Sequence, residues 1–253
     1  MTGHYGESPV SLGSFTPEWN EFMHYLYLPV RLPLSDGGTK AQDDATLPDR
    51  LEFLRDSVYA AIDDATALAP HFGNDPYVYV TARRGFATPG NPLNRTGWHC
   101  DDFGGTDLNY IWTDNFPTRF LVSENPLDIS TDDAQSMLDM QGWADLVAFG
   151  ARSDSFDTYS QRFDSTRGPI HIKPGTTNTL IRLSPWVVHD TPIIEEPGGM
   201  RSFFKISVST HRYDLVGNSH NYLFDYNWPM VDRASLRNQP SDSNHDYSKL
   251  TTP

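Results

Sequence analysis

The sequence predicts a mainly β protein, either a β-sandwich or a jelly roll, with buttressing helices near its N-terminus. Many short segments are rich in β-branched and aromatic residues, Gly and Pro separate them, and the clearest helical periodicity precedes most of them. Such elements pack as two layers around one hydrophobic core. With 253 residues, of which 38% are hydrophobic, the chain can bury the core of one such domain.

The predicted helices occupy two segments. The first 48 residues are expected to form an N-terminal extension, and Asp49 with Glu52 then matches a capping box at the start of a helix. Apolar residues repeat at helical spacing after this point: Leu51, Leu54, Val58, Ala61, Ala65 and Leu68. A second, weaker helix is predicted over residues 131–143.

Seven further segments are predicted strands because β-branched and aromatic residues dominate them. They are residues 77–82, 108–112, 118–123, 169–172, 179–183, 186–188 and 201–210. Pro-Gly pairs at Pro89-Gly90 and Pro174-Gly175 predict turns between strands. We therefore expect a single domain over residues 1–253, with a core at about residues 76–210 and a loose tail over residues 239–253.

Charge and cysteine content narrow the functional classes. The net charge of −14 disfavours a duplex nucleic acid partner, which basic side chains would have to neutralise, and favours a small-molecule, amino-acid or peptide substrate. No segment approaches the roughly 18 apolar residues of a membrane helix, and the N-terminus lacks a signal-peptide pattern, so we expect no membrane association and a cytoplasmic location. The single cysteine, Cys100, excludes an internal disulfide and a Cys-based zinc site.

His99 and Asp101 are candidate metal ligands. Side chains two residues apart on extended backbone project to the same side, so both can reach one ion while Cys100 turns away. About one such His-x-acid pair is expected by chance from this composition, and a third ligand is required. His189, which follows an apolar run, is the preferred candidate, ahead of His171 and His211. Two imidazoles and one carboxylate leave metal positions open for other ligands.

The order of motifs around this pair resembles a known family. His99 and Asp101 are followed by a Pro-Gly turn, a strand that leads to His189, a nearby Pro192 and then Arg201. In this order the sequence resembles the 2-oxoglutarate/Fe(II)-dependent dioxygenase superfamily over about residues 76–210.

The resemblance implies a double-stranded β-helix (jelly-roll) core and Fe(II) held by His99, Asp101 and His189. It also implies 2-oxoglutarate and O2 as co-substrates. The expected reaction is hydroxylation, or another oxidation, of an unactivated C–H bond, with release of succinate and CO2. Because Asp101 retains the carboxylate that halogenating relatives lack, hydroxylation is favoured over halogenation.

Arg201 is the expected anchor for the distal carboxylate of 2-oxoglutarate, because guanidinium forms bidentate pairs with carboxylates. Strand alternation places Lys205 and Ser207 on the same face as Arg201. Lys205 is an alternative anchor, because Phe203 stands where the family often has a serine. Thr118 and Tyr110 are candidate contacts for the iron-binding end of the co-substrate.

Candidate substrate contacts are the cations and the aromatic residue on predicted strands: Arg83, Arg119, Arg182 and Trp112. The alternatives are ordinary salt bridges for the arginines and a core position for Trp112. Two other functions stay open: a cupin-type metalloenzyme, although cupins usually use a His-x-His pair that this sequence lacks, and a non-catalytic binding module on the same fold.

Overall fold

The computed structural model describes residues 3–38, 45–73, 75–150 and 169–232. The predicted loose tail, residues 239–253, lies outside these ranges. The described residues form nine strands and two α-helices, which are β1 (Val10–Ser14), β2 (Met23–Arg31), α1 (Arg55–Leu68), β3 (Tyr77–Ala87), β4 (Leu108–Thr113), β5 (Arg119–Ser123), α2 (Asp133–Gly150), β6 (Ile170–Pro174), β7 (Thr179–Leu183), β8 (Val188–Asp190) and β9 (Gly199–Ser209).

The strands form two antiparallel sheets, which confirms the mainly β class. The larger sheet has the order β1-β7-β4-β9-β3-β2, and the smaller sheet has the order β6-β5-β8. Each of the seven predicted strands overlaps one of β3 to β9. β3 continues to Ala87, and β8 begins at Val188 rather than at Trp186.

Strands β1 and β2 were not predicted, and both lie in the segment expected to be an N-terminal extension. They are the two outer strands of the six-stranded sheet. Their irregularity explains why the pattern was missed: the register shifts between Ser11 and Gly13 in β1, and β2 contains Pro29 and a positive φ of 49° at Tyr27. The sheet therefore recruits residues N-terminal to the expected core.

The helices are present, but the predicted capping box is wrong. Asp49–Leu54 is a 3-10 helix that leads directly into α1, and its N-cap is Pro48, with no side-chain cap. Asp49 lies inside the helical turn rather than before it. The Glu52 carboxylate instead accepts a hydrogen bond from Arg55 Nη2 at 2.9 Å. The second helix, α2, begins at Asp133, two residues later than predicted, and continues to Gly150, beyond the predicted end at residue 143.

The chain contains two compact units, each with its own core. One comprises Met1–Ser14, Gly85–Thr106 and Trp112–Arg201. Its core includes Trp98, Cys100, Leu121, Leu127, Ile129, Met140, Ala144, Ile170 and Val188. The other comprises Phe15–Arg84, Asp107–Ile111 and Ser202–Pro253. Its core includes an aromatic cluster of Tyr27, Leu32, Tyr79, Tyr213, Phe224 and Trp228.

Among the residues that the structure describes, no helix has both the length and the hydrophobicity that crossing a lipid bilayer requires.

A substitution at Leu121 tests the packing of the core that contains Trp98 and Val188. This β5 side chain is fully buried, and replacing it with Ala leaves a cavity, so Leu121→Ala should lower the free energy of unfolding by about 2–5 kcal/mol. The matched control is Leu138→Ala on α2, where the side chain is 66% exposed and the change should stay within about 0.5 kcal/mol. Urea denaturation followed by circular dichroism measures both, and equal losses would contradict the described burial.

Candidate metal centre

The backbone brings His99 and His189 together. His99 N–H donates to the carbonyl oxygen of His189 at 3.0 Å, and His189 N–H donates to that of His99 at 2.9 Å. Residues that exchange both hydrogen bonds in an antiparallel pair lie directly opposite each other and project to the same face. The two imidazole rings accordingly lie with their centroids 4.5 Å apart.

Asp101 completes a three-residue group. Its Oδ2 lies 3.8 Å from His189 Nε2, and one ligand atom from each of His99, Asp101 and His189 lies within 4.8 Å of the others. Within the described ranges, this is the single group of three or more His, Cys, Asp or Glu side chains with such spacing. The group could hold a metal ion, as the sequence predicts.

The local backbone is only partly extended. His99 forms the isolated bridge to His189, but the chain enters a turn at Asp101, and Asp102 has a φ of +52°. Asp101 therefore reaches the histidines from a turn rather than from a continuous strand. Cys100 is turned away as expected, because it is buried in the core cluster with Trp98 and Val188.

Hydrogen bonds to the backbone fix the tautomer of both histidines. Nδ1 of His99 lies 2.7 Å from the carbonyl oxygen of Gly97, and Nδ1 of His189 lies 3.0 Å from that of Val187. A carbonyl oxygen can only accept, so Nδ1 of each ring carries the proton and donates it. The Nε2 atoms then carry the lone pairs, which is the usual arrangement for metal-binding histidines.

Electrostatics keep His99 neutral. Its pKa is lowered to about 3, mainly because burial penalises the imidazolium form, and also because the His189 ring repels its charge. The Asp101 carboxylate favours the charged form, but its effect is smaller. At neutral pH the Nε2 lone pair of His99 is therefore available to a metal.

The donor set fits a divalent transition metal. Two neutral imidazoles and one carboxylate are the ligands of the facial sites that hold Fe(II) and leave the remaining positions open. Three protein ligands with an open position are also common in catalytic zinc sites. The three side chains could thus hold one metal ion, and their donor set is compatible with iron.

Arg201 is fully buried and held by its own unit. Its Nε donates to the carbonyl oxygen of Phe116 at 3.1 Å, and its Nη1 donates to that of Pro92 at 3.2 Å and to Oδ1 of Asn94 at 2.6 Å. These bonds orient the guanidinium. The assignment of Arg201 as the 2-oxoglutarate anchor stays a prediction.

Lys205 and Ser207 also lie on buried positions of β9. Lys205 Nζ donates to Tyr27 Oη at 3.3 Å and lies 4.9 Å from the centroid of that ring, and Ser207 Oγ donates to Asn109 Oδ1 at 2.6 Å. Tyr110 is not brought together with Ser207. It donates to Asp64 of α1 at 2.8 Å, and since it neighbours Asn109 on β4, the two side chains face opposite sides of the strand.

The remaining co-substrate and substrate candidates lie at buried positions or on paired strands. Thr118 is buried, and its carbonyl oxygen accepts from Gly175 N at 2.8 Å. Trp112 is a core residue, only 2% exposed. Arg182 lies opposite Val10 of β1, and Arg83 lies opposite His24 of β2.

Arg119 is salt-bridged rather than free to meet a substrate. Its Nη2 donates to the Asp190 carboxylate, its Nε donates to the Thr191 carbonyl oxygen at 3.1 Å, and its guanidinium lies 5.2 Å from the centroid of the Trp98 ring. The structure thus favours the salt-bridge alternative for this arginine. Asp190 was missed by the sequence analysis, although an acidic residue directly after a candidate ligand was a usable signal.

The alternative histidine ligands, His171 and His211, are exposed and do not belong to the three-residue group.

Comparisons of the chain with protein-family models, with curated proteins and with solved structures find no match.

Metal binding tests the site directly. Co(II) added to the metal-free protein should raise the midpoint of thermal unfolding, since a ligand at 100 times its Kd stabilises the folded state by about 2.7 kcal/mol. His189→Ala should weaken Co(II) binding by more than about 100-fold, because it removes a ligand rather than a ligand's neighbour. His171→Ala, an exposed histidine on β6, is the control and should bind Co(II) like the wild type. Equal losses in both variants would place the ion elsewhere.

Proposed function

We propose that the protein is an Fe(II)- and 2-oxoglutarate-dependent dioxygenase. It hydroxylates, or otherwise oxidises, an unactivated C–H bond of a small-molecule or peptide substrate and releases succinate and CO2. The observation that carries the proposal is the group of His99, Asp101 and His189, whose ligand atoms lie within 4.8 Å of one another. With Nδ1 of each ring hydrogen-bonded to a backbone carbonyl, the group presents two imidazole Nε2 atoms and a carboxylate to one ion.

The order of the strands supports a jelly-roll core. Starting from β3, successive segments change sheet at every step except the one from β5 to β6: β3 is in the large sheet, His99 bridges to β8 of the small sheet, and β4 returns to the large sheet. β5 and β6 then lie in the small sheet, β7 in the large, β8 in the small and β9 in the large. An eight-stranded double Greek key follows this alternation. The proposed double-stranded β-helix would carry both metal-binding histidines on its smaller sheet.

The proposed chemistry divides between the metal and the chain. Bound Fe(II), with 2-oxoglutarate as the reductant, supplies the oxygen-activating chemistry. One atom of O2 enters the substrate as a hydroxyl group, and the other enters succinate as 2-oxoglutarate loses CO2. His99, Asp101 and His189 hold the ion, and the low pKa of His99 keeps its ring neutral, with Nε2 free of a proton. Arg201 binds the distal carboxylate of 2-oxoglutarate, with Lys205 as the alternative anchor.

The contacts of Arg201 favour a second candidate function. A fully buried guanidinium that already donates to two backbone carbonyls and to Asn94 is suited to a structural role. A cupin-type metalloenzyme would use the same metal without a dicarboxylate co-substrate. It would therefore need no cation to bind a distal carboxylate, and Arg201 could be purely structural. The two candidates differ in whether 2-oxoglutarate binds at the metal.

Anaerobic spectroscopy separates these candidates. Addition of Fe(II) and then 2-oxoglutarate to the wild type should produce a weak visible charge-transfer band, because the keto acid chelates the ion. His189→Ala should give no band, and His171→Ala should give the wild-type band. Absence of the band in a wild type that binds Fe(II) would contradict the first proposal and favour the second.

The anchor can be tested by measuring 2-oxoglutarate and metal affinity separately. Arg201→Ala should weaken 2-oxoglutarate binding about 30-fold or more, which is the effect of removing one partner of a buried charge pair, and should leave Fe(II) affinity within about threefold. Arg201→Lys keeps the positive charge but lacks the paired N–H donors of the guanidinium. It controls for a loss of 2-oxoglutarate binding that results from misfolding of Arg201→Ala. The control is Arg50→Ala, an exposed arginine paired with Glu21. If Lys205→Ala alone weakens 2-oxoglutarate binding, Lys205 is the anchor.

A further inference from the structure

The Asp190 carboxylate is buried at the end of β8, directly after the candidate ligand His189. Its Oδ1 accepts from Gly97 N at 2.9 Å and from Thr191 N at 2.7 Å, with Thr191 Oγ1 at 3.3 Å, and its Oδ2 accepts from Arg119 Nη2. The residue is only 6% exposed. A carboxylate removed from water to this extent is costly unless it is paired and hydrogen-bonded, and these contacts supply both.

Gly97 connects this carboxylate to a metal ligand. Its N–H is held by Asp190, and its carbonyl oxygen accepts the Nδ1 proton of His99 at 2.7 Å. The two groups belong to different peptide units on either side of one Cα, so the connection is positional. Gly97 has a φ of +96°, a conformation in which a side chain would be strained. Asp190 thus holds the residue that orients the His99 ring.

Arg119 secures the other side of the carboxylate. It stands opposite Asp190 in the pairing of β5 with β8, and its Nε also donates to the Thr191 carbonyl oxygen. Its guanidinium lies 5.2 Å from the ring of Trp98, the residue between Gly97 and His99, which is 4% exposed. A cation over an aromatic face is attracted to it. Arg119 therefore contacts both segments that carry histidine ligands.

We propose that Asp190 and Arg119 are positioning residues of the metal centre. They fix the segment from Gly97 to His99 against β8, so that the Nε2 atom of His99 stays directed at the ion. The inference rests on the metal site of the proposed function, but not on the identity of the metal or on 2-oxoglutarate. Metal affinity should consequently depend on two residues that do not bind the ion themselves.

Four substitutions separate positioning from general stability. Asp190→Ala removes every contact of the carboxylate and should lower Co(II) affinity by about 10- to 100-fold, as loss of an outer partner of a ligand does. Asp190→Asn keeps an oxygen for Gly97 N but cannot accept from Arg119, so its loss should be smaller. Arg119→Lys keeps the cation and should retain more Co(II) affinity than Arg119→Ala. Titration followed by the visible absorption of bound Co(II) measures each affinity.

The Nδ1–H signals of the histidines give a second readout in the metal-free protein. By ¹H–¹⁵N NMR, the signal of His99 should shift or broaden in Asp190→Ala, because its acceptor Gly97 is released. The signal of His189, which donates to Val187, should persist and serves as the internal control. Arg55→Ala, which breaks an ion pair with Glu52, is the matched control and should leave both the signals and the Co(II) affinity unchanged.

The outcomes distinguish this inference from the proposed function. If the Asp190 and Arg119 variants bind Co(II) within twofold of the wild type and keep the His99 signal, the inference is overturned, whatever their loss of thermal stability. If the wild type binds Co(II) but not 2-oxoglutarate, and the variants bind Co(II) more weakly, the inference stands and the proposed oxygenase fails. A wild type that binds no Co(II) overturns both.

Discussion

The reciprocal pair of backbone hydrogen bonds between His99 and His189 is the interaction on which the candidate site depends. It places two residues far apart in sequence directly opposite each other, so their imidazoles share one face without any help from a metal. Asp101 joins them from the following turn. Because the pairing is made by main-chain atoms, the backbone hydrogen bonds between His99 and β8 set the positions of both histidines.

Buried polar groups around this pairing set the chemical state of the ligands. Carbonyl oxygens of Gly97 and Val187 fix the protons on Nδ1, and burial keeps His99 neutral. The ion pair of Arg119 with Asp190 compensates for the desolvation of both charges and ties the two histidine segments together. The result is a site in which donor atoms are oriented before a metal binds, which reduces the ordering that binding requires.

The sequence predicted seven strands from their local composition, and it predicted the group of His99, Asp101 and His189 from the order of motifs along the chain. Side-chain facing and long-range pairing were less accessible. Tyr110 was a candidate co-substrate contact, but its hydroxyl donates to Asp64, which places its side chain on the α1 side of β4. Arg119 was a candidate substrate contact, but in the pairing of β5 with β8 it lies opposite Asp190 and forms a salt bridge with it. β1 and β2 were missed because bulges and Pro29 interrupt the alternation on which strand prediction depends.

X-ray absorption spectroscopy of the anaerobic, Fe(II)-loaded protein tests the central claim most directly, because it reports which atoms surround the ion. The structure predicts two imidazoles and oxygen donors in the first shell, reduced to one imidazole in His99→Ala or His189→Ala. A first shell that contains sulfur from Cys100, or that keeps two imidazoles in either variant, would contradict the assignment of His99, Asp101 and His189 as the metal centre.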